Sequence, residues 1–499
     1  MKTPLRNILA VISGDLGSRA IGFFVTMYLA RTLLPASFGV INIGLAVLGY
    51  LSLLNVPGVQ MVEVRNVAAT AGDFRERAGS ILSFRLVVAP LLLAGTWIVV
   101  TAIGMPAETR DAVLLYSLSV VPMALSLDWL FQGREDFRRV STSRLLSVFL
   151  FGIVVLLLVR QEHDVRQTAV AFLMGNIAAA LYLGFVYRRL PGHHGHADPV
   201  PAGTRQGRGG TPGRIPGHEE PVRAFPRLRW DPAAWKGILR DNGPAGTAML
   251  LAQSVTNLPP LVIGVFVGNN DVGMFSAAMK LAFVFLLIDR TFNVLYLPLA
   301  SRYAASKRDE YPYLLSVTVK SILVLVVPLV IVGCVIADPL LLLVFGSHYT
   351  GSGMLFRILS LYVLVTTFNS VFVNTLIAFG KTKDYAVAGG AGAVGMIVCV
   401  VLLTALGGTV GAAWGVVAGE TIILGLLAAR VSHFVRLPGW RDLAKPVAAC
   451  VVMAVGAIAT DGMNVFFSLM VSLLAFFFVL FSTNGMPREE LRFLKERLL

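Results

Sequence analysis

Cysteine is scarce: Cys334, Cys399 and Cys450 are the only three in 499 residues, and each sits inside an apolar run. Thiols so placed imply no disulfide framework and read as packing residues. The apolar runs hold few histidines, and no Ser/His/Asp or Cys/His constellation stands out. Nothing in the chain therefore points to nucleophilic catalysis, and no metal site or cofactor is expected. No Gly-rich stretch is followed by Gly-Lys-Ser/Thr, so nucleotide hydrolysis has no motif to rest on. Charge is also low: 14% of residues are charged against 56% hydrophobic. A soluble domain of this length has no way to hide that much apolar surface. Period-2 alternation is missing as well, which argues against a β-barrel.

What is present is a rhythm of long apolar runs and short gaps. A bilayer core needs about 20 apolar residues per helix. On that measure helices are expected near 8–33, 38–58, 79–104, 111–131, 142–160, 167–187, 242–267, 272–298, 314–337, 353–379, 384–406, 409–432, 441–460 and 463–482. The expected fold is an all-α polytopic membrane protein of about fourteen spans. Basic residues crowd into every second gap: Arg65, Arg75 and Arg77; Arg134, Arg138, Arg139 and Arg144; a long Arg-rich stretch; Arg302, Lys307 and Arg308; Lys381 and Lys383; Arg436, Arg441 and Lys445; and Arg488 to Arg497. Cytoplasmic loops retain Lys and Arg, so the alternation gives each loop a side and puts both termini in the cytoplasm. The net charge of +14 follows from the same loops. Orientation against anionic lipid accounts for it, and no nucleic-acid partner is implied. Lys2 and Arg6 precede an apolar run without a small-residue cleavage site, so the first helix reads as retained.

Composition divides the chain into 1–187, a six-helix half; 188–240, a flexible basic cytoplasmic linker; 241–437, a second six-helix half; 438–482, two extra spans; and 483–499, a cytoplasmic tail. The linker is rich in Pro, Gly, Arg and His and lacks the apolar residues for a core. His193, His194, His196 and His218 lie there without a neighbouring Cys or paired carboxylate, so a solvated tract is favoured over a metal site. The halves echo one another. "LPASFGVINIGLA" (34–46) and "GNNDVGMFSAAMK" (268–280) are both short turns without Lys or Arg, followed by Phe38-Gly39 or Val272-Gly273. Gly175-Asn176 and Gly419-Glu420 fall at similar places in the sixth spans. Parallel repeats of this kind are a transporter arrangement.

"DVGMFSAAMKLAF" (271–283), "LPLASRYA" (297–304), "LLLLVFGSHYTGSGMLFRIL" (340–359) and "LIAFGKTKDY" (376–385) resemble the polysaccharide-exporting flippases of the multidrug/oligosaccharidyl-lipid/polysaccharide exporter superfamily. "FQGREDFRRVSTSRLLS" (131–147) and "GTVGAAWGVVAGE" (408–420) fit as well, so the resemblance runs nearly the whole length, in order. It implies two six-helix bundles around a central cavity plus two C-terminal helices. The implied substrate is an oligosaccharide on a polyprenyl diphosphate, moved from inner to outer leaflet of a bacterial inner membrane. Implied partners are that substrate, membrane lipids, a coupling ion (proton or sodium) and polysaccharide-assembly proteins.

Such a substrate poses a solvation problem, because a diphosphate and sugars do not cross hydrocarbon unaided. Ionisable residues within spans are the first candidates for cavity charge. Arg19, Arg85, Lys280 and Arg290 are assigned to the diphosphate. Asp15 lies four residues before Arg19, on the same helix face, and is placed as its pairing partner. Arg85 is also close enough to its helix end to snorkel. Arg31 and Arg357 read as interfacial. Asp289 and Glu420 are candidates for coupling or pairing, since a buried carboxyl suits proton exchange; a hydrogen-bonded acid at a helix contact is the plainer reading of Glu420. Pro259-Pro260 marks the expected kink of the seventh span, with Asn257 placed to satisfy a freed carbonyl. The rival readings are a cation-coupled drug exporter of the same superfamily, a membrane-embedded polymerase or ligase, and a scaffold acting through the linker. The basic lean of the buried charges disfavours the first, and the short outer loops disfavour the second.

Overall fold

In a computed structural model the backbone is described at 2–55, 59–69, 75–189, 228–460, 462–487 and 490, and side chains from 17 onward except at 56–61, 68–77, 244–245, 248 and 291 within that range. Residues 190–227, most of the expected linker with its four histidines, lie outside the described residues, as do 491–499 of the tail. Among the described residues all regular structure is helical. Among the described residues, ten segments are long and apolar enough to cross a membrane by length and composition. Large apolar side chains such as Trp97, Leu181, Phe466 and Phe478 stand exposed on them, as a hydrocarbon solvent permits.

The chain divides into two compact units, one of residues 1–26 and 47–250, the other of 27–46 and 251–499. The first contains most of α1 (Lys2–Thr32), the end of α2 (Pro35–Asn55), α3 (Val59–Ala69), α4 (Arg75–Ala102), α5 (Ala107–Ser117), α6 (Val120–Leu125), α7 (Asp128–Gly133), α8 (Phe137–Leu158), α9 (Val165–Arg188) and nearly all of α10 (Pro232–Ala252). Its core gathers Ile81, Leu82, Trp129, Phe131, Leu183 and Ile238. The second contains α11 (Ser254–Phe266), α12 (Asn269–Ser306), α13 (Tyr311–Val335), α14 (Ala337–Phe345), α15 (Gly353–Ala378), α16 (Thr382–Ser432), α17 (Trp440–Ala459) and α18 (Val465–Ser482). Tyr296, Tyr311, Leu315, Phe372, Leu376 and Leu427 centre its main core. Cys450, Met453 and Phe476 of α17 and α18 pack on Val324 and Ile331 of α13.

Several spans are broken. The fourth expected span is three short helices, α5 to α7, interrupted where Ser126 turns extended (φ −67, ψ 135). The 51-residue α16 is two arms, because Gly407 and Gly408 leave helical geometry between them. Gly408 sits at φ 59, a conformation open to glycine at little cost. The seventh span breaks at Gln253, between α10 and α11, and not at Pro259-Pro260. A proline's missing N–H and ring act on the carbonyl four residues earlier, here those of Val255 and Thr256, so the prolines do not explain the break at Gln253. There Thr256 and Asn257 both donate their backbone N–H to the Gln253 carbonyl, at 3.1 and 3.0 Å. Asn257 does not repair a freed carbonyl; its buried Nδ2 has no hydrogen-bond partner.

The echo between 34–46 and 268–280 has a structural meaning. Residues 27–46 pack within the second unit, and the two turn-to-helix segments cross at their glycines. A Cβ on Gly39 would fall on the carbonyl oxygen of Asn269 and against the amide nitrogen of Gly273. A Cβ on Gly273 would fall on the carbonyl oxygen of Pro35. The contact is reciprocal: Pro35 precedes Gly39 by four residues, as Asn269 precedes Gly273. The other paired glycines are crossing points too, Gly175 on the Ser147 carbonyl and Gly419 on Met396.

Overpacking against backbone, which has no rotamer to change, is expected to cost at least about 1–3 kcal/mol. Gly39→Leu and Gly273→Leu should each lower the thermal midpoint of the detergent-purified protein accordingly. Gly95→Ala, whose Cβ would meet nothing within 4 Å, should stay within about 0.5 kcal/mol of the parent. Equal losses at all three positions would show that the crossing is not the constraint.

Candidate functional site

The charges expected inside the spans part into three kinds. One kind caps helix ends. Arg85, on α4 in the first unit, is 5% exposed. It donates through one terminal nitrogen to the Ser126 carbonyl at 3.0 Å and through the other to the Met123 carbonyl. These carbonyls lie where α6 ends, that of Met123 also accepting the Ser126 N–H, so the guanidinium adds donors where the helical turn is missing. Arg31 does the same for α14, donating Nε to the Val344 carbonyl at 3.0 Å and a terminal nitrogen to that of Leu343. Arg357 donates Nε to the Cys334 carbonyl at the end of α13, at 3.1 Å, and pairs with Asp338 at 2.7 Å. A cation at a helix C-terminus also meets the negative end of the helix dipole. Sequence reading placed Arg31 and Arg357 at an interface; their bonds assign them a capping task.

A second kind forms a buried polar seam within the second unit. Asp289 of α12 is buried, with Oδ1 unpartnered, and bonds through its carboxylate to Ser370 and Asn293. Asn293 accepts from Asn374 Nδ2. Glu420, also buried, accepts from Asn369 Nδ2 at 2.6 Å, and the same nitrogen lies 3.1 Å from the Glu420 backbone oxygen. The two carboxyls are within electrostatic reach of each other and of Tyr362. The sequence flagged Asp289 and Glu420 but not their partners. Tyr362, Thr366, Asn369, Ser370 and Asn374 recur every three or four residues along apolar α15, which puts them on one helix face. That spacing was the available signal. The seam is a polar strip with two carboxyls, suited to a proton or a small cation. No three His, Cys, Asp or Glu come together among the described residues.

The third kind is cation outside the caps and the seam. Lys280 of α12 is half-buried, and its Nζ stands 5.9 Å from the centroid of the buried Phe38 ring. Among the described residues no ion pair or hydrogen bond involves it. The ring face gives a cation–π contact and leaves the ammonium protons unspent. Arg290 is exposed and lies beside Asp289 electrostatically. Arg19 of α1 is exposed, in the first unit. The Asp15 side chain lies outside the described residues, so the expected pair with Arg19 has no geometry. Arg19 and Arg85 thus belong to the first unit, and Lys280, Asp289, Arg290 and Glu420 to the second.

The first unit also holds a partly open, mostly apolar cavity of about 250 Å³ that Arg85, Asp128, Arg144, Ser147 and Asn176 help to line. The sequence flagged Arg85 alone of these. Asp128 was not singled out in the sequence, and Asn176 entered only through the echo of Gly175-Asn176 with Gly419-Glu420.

An all-helical chain with ionisable groups buried in its spans is a polytopic membrane protein of transporter fold. Solved structures bear this out. The chain is similar to "Lipid II flippase MurJ, inward closed conformation" at TM-score 0.71 and 14% identity, covering 95% of this chain and 98% of that one. It is similar to an inward-facing multidrug resistance MATE family transporter of the MOP superfamily at TM-score 0.61 and 12% identity, covering 83% and 95%. The chain belongs to the polysaccharide biosynthesis protein family, which it matches over residues 5–295. Among curated relatives it is 25% identical to a putative O-antigen transporter of Escherichia coli (strain K12) over 187 residues, 35% of this chain. It spans 44% of that relative's length. It is 22% identical to the succinoglycan biosynthesis transport protein ExoT of Rhizobium meliloti (strain 1021) over 391 residues, 76% of this chain and 70% of that one.

The seam makes a testable demand. Asn369→Leu strips Glu420 of its donor and should cost about 1–3 kcal/mol, whereas removing both partners should cost less than the sum of the single changes. Thermal midpoints of Asn369→Leu, Glu420→Met and the double variant would read this. Strict additivity would mean the two side chains are not coupled.

Proposed function

We propose that the protein is a flippase that moves a polyprenyl-diphosphate-linked oligosaccharide from the inner to the outer leaflet of a bacterial inner membrane, by alternating access, for surface polysaccharide or exopolysaccharide synthesis. Both termini are cytoplasmic in this reading. The observation that carries it is Lys280: an ammonium on a membrane-spanning helix with no acidic partner among the described residues. Holding such a charge in low dielectric is costly unless a counter-charge arrives. A diphosphate brings one. Lys280, Arg19 and Arg290 supply cation to it, with Arg85 adding positive charge from inside the first unit. The lipid tail stays in the bilayer while the sugars move through a hydrated path.

Asp289 and Glu420 serve as the coupling pair, taking up a proton or sodium on one side and releasing it on the other. The family membership and the names of its relatives support a polysaccharide cargo over a drug. A drug exporter for organic cations is the second reading, and the carboxyl seam is the observation that favours it. The charges that are not helix caps lean basic, which is why the lipid-linked anion is preferred.

A charge-assisted contact to the diphosphate is worth about 1.5–3 kcal/mol, or roughly ten- to a hundredfold in binding. In a strain deleted for the gene, plasmid-borne Lys280→Ala should therefore restore at least about tenfold less surface polysaccharide than the parent protein, at equal membrane abundance. Glu420→Gln should also restore little, by blocking the cycle. Full restoration by Lys280→Ala would remove Lys280 from the mechanism, and unaltered polysaccharide with increased sensitivity to cationic drugs on deletion would favour the drug-exporter reading.

A further inference from the structure

α17 and α18 form a hairpin that packs on α13. On α13 the contact runs along Val324, Val327 and Ile331. Read backwards, that spacing of four and three residues leads to Lys320, so a lysine stands at the head of an apolar stripe. It lies nine residues beyond Tyr311, the first residue of α13, roughly 13 Å along the helix. A lysine at that depth in a span needs a counter-charge.

The counter-charge comes from beyond α18. Lys320 Nζ donates to Glu490 Oε1 at 2.7 Å. Their side chains are 12% and 8% exposed, whereas in the Lys307–Glu310 and Arg430–Asp384 pairs of the same unit every side chain is at least 36% exposed. The chain turns back where α18 ends. Asn484 sits at φ 50, and a Cβ on Gly485 would press on the Leu480 side chain of α18 and come within 3.6 Å of the Pro446 nitrogen of α17. These residues lie against the end of the hairpin, and Glu490 joins that end to α13. A second polar contact lies one turn along the stripe, where the Cys450 thiol of α17 donates to the Leu323 carbonyl at 3.3 Å.

Apolar helix faces gain little by meeting in hydrocarbon, because lipid tails are as apolar as they are. Polar contacts therefore carry much of the hairpin's hold on α13, and the ion pair is the charged one. It is also incomplete: Glu490 Oε2 is buried without a hydrogen-bond partner. A buried pair with an unsatisfied oxygen returns little net stability, so it closes the contact without locking it.

We propose that Glu490 is the catch of a clasp. Seated on Lys320, it holds the α17–α18 hairpin against α13 and keeps the stripe covered. Released into water, it leaves the hairpin held by apolar packing and the Cys450 bond, and the hairpin separates from α13 so that the stripe meets lipid. The clasp does not rest on the flippase reading, since it is a property of the protein at rest in any bilayer.

The test uses the full-length protein in nanodiscs, with the three native cysteines changed to serine. Nitroxide labels are placed by Leu325→Cys on α13 and Leu474→Cys on α18, both lipid-exposed positions, and the distance between them is read by pulsed electron paramagnetic resonance. Glu490→Gln, which keeps the size and removes the charge, should add a longer distance to that of the parent. Lys320→Met should add the same one, and serves where Glu490→Gln fails to fold. The double variant should open no further than either single change, because one clasp is lost only once. Identical distances in the parent and both single variants would overturn the proposal. Opening in only one single variant, or reclosure in the double variant, would overturn it too, because a stranded buried charge and not a lost clasp would then drive the change.

Discussion

A helix that ends inside hydrocarbon leaves carbonyls that no water can reach, and the architecture depends on how this chain meets that constraint. The break inside the fourth expected span leaves one such end, and the segment between the ninth and tenth expected spans holds two more. All three are met by arginine: Arg85 at the end of α6, Arg31 at the end of α14 and Arg357 at the end of α13. Each guanidinium supplies several donors in a fixed fork and a charge that suits the helix dipole. Much of the basic charge within the spans is therefore committed to holding bends. What remains is small and identifiable, and Lys280 is its clearest member.

The same constraint explains the glycines. Helices surrounded by lipid gain little from burying apolar side chains against one another, since the tails are equally apolar. Close backbone approach supplies dispersion contacts instead. The Gly39 and Gly273 crossing carries this furthest, with each glycine seated on a carbonyl of the opposing segment. That crossing lies in the second unit although residues 27–46 come from the start of the chain. The seam of Asp289, Asn293, Asn369, Asn374 and Glu420 is the polar counterpart. Amides solvate two carboxyls that would otherwise be orphaned, and the unpartnered Asp289 Oδ1 leaves room for one more proton or ion.

Much of this was legible before the coordinates. Run length and the absence of period-2 alternation gave the helical class, and Gly407-Gly408 was enough to place a boundary inside 51 otherwise continuous helical residues. The echo of Phe38-Gly39 with Val272-Gly273 was read as a repeat, and the contact between the two segments was not foreseen. Other features were not legible. Periodicity over 111–131 cannot reveal the break at Ser126, because its cause is partly distant: Arg85 stabilises the exposed carbonyls from another helix. The seventh span's kink was placed at its prolines, whereas the helix breaks at Gln253, further upstream than a proline's own i−4 carbonyl. Arg85 was read as cavity charge or a snorkelling cation from depth alone, and depth does not say which way a guanidinium points. The Asn partners of Glu420 were visible as a stripe on α15 but not as a site until α12 and α16 were packed against it.

The most direct measurement of the central claim is the leaflet distribution of polyprenyl-linked oligosaccharide. It is read as protection of the sugar from an impermeant modifying reagent, in cells with and without the protein. The account predicts that without the protein the lipid-linked oligosaccharide accumulates in the cytoplasmic leaflet and that the intact protein moves it outward again. An unchanged distribution, with lipid-linked oligosaccharide reaching the outer leaflet equally in both strains, would contradict it.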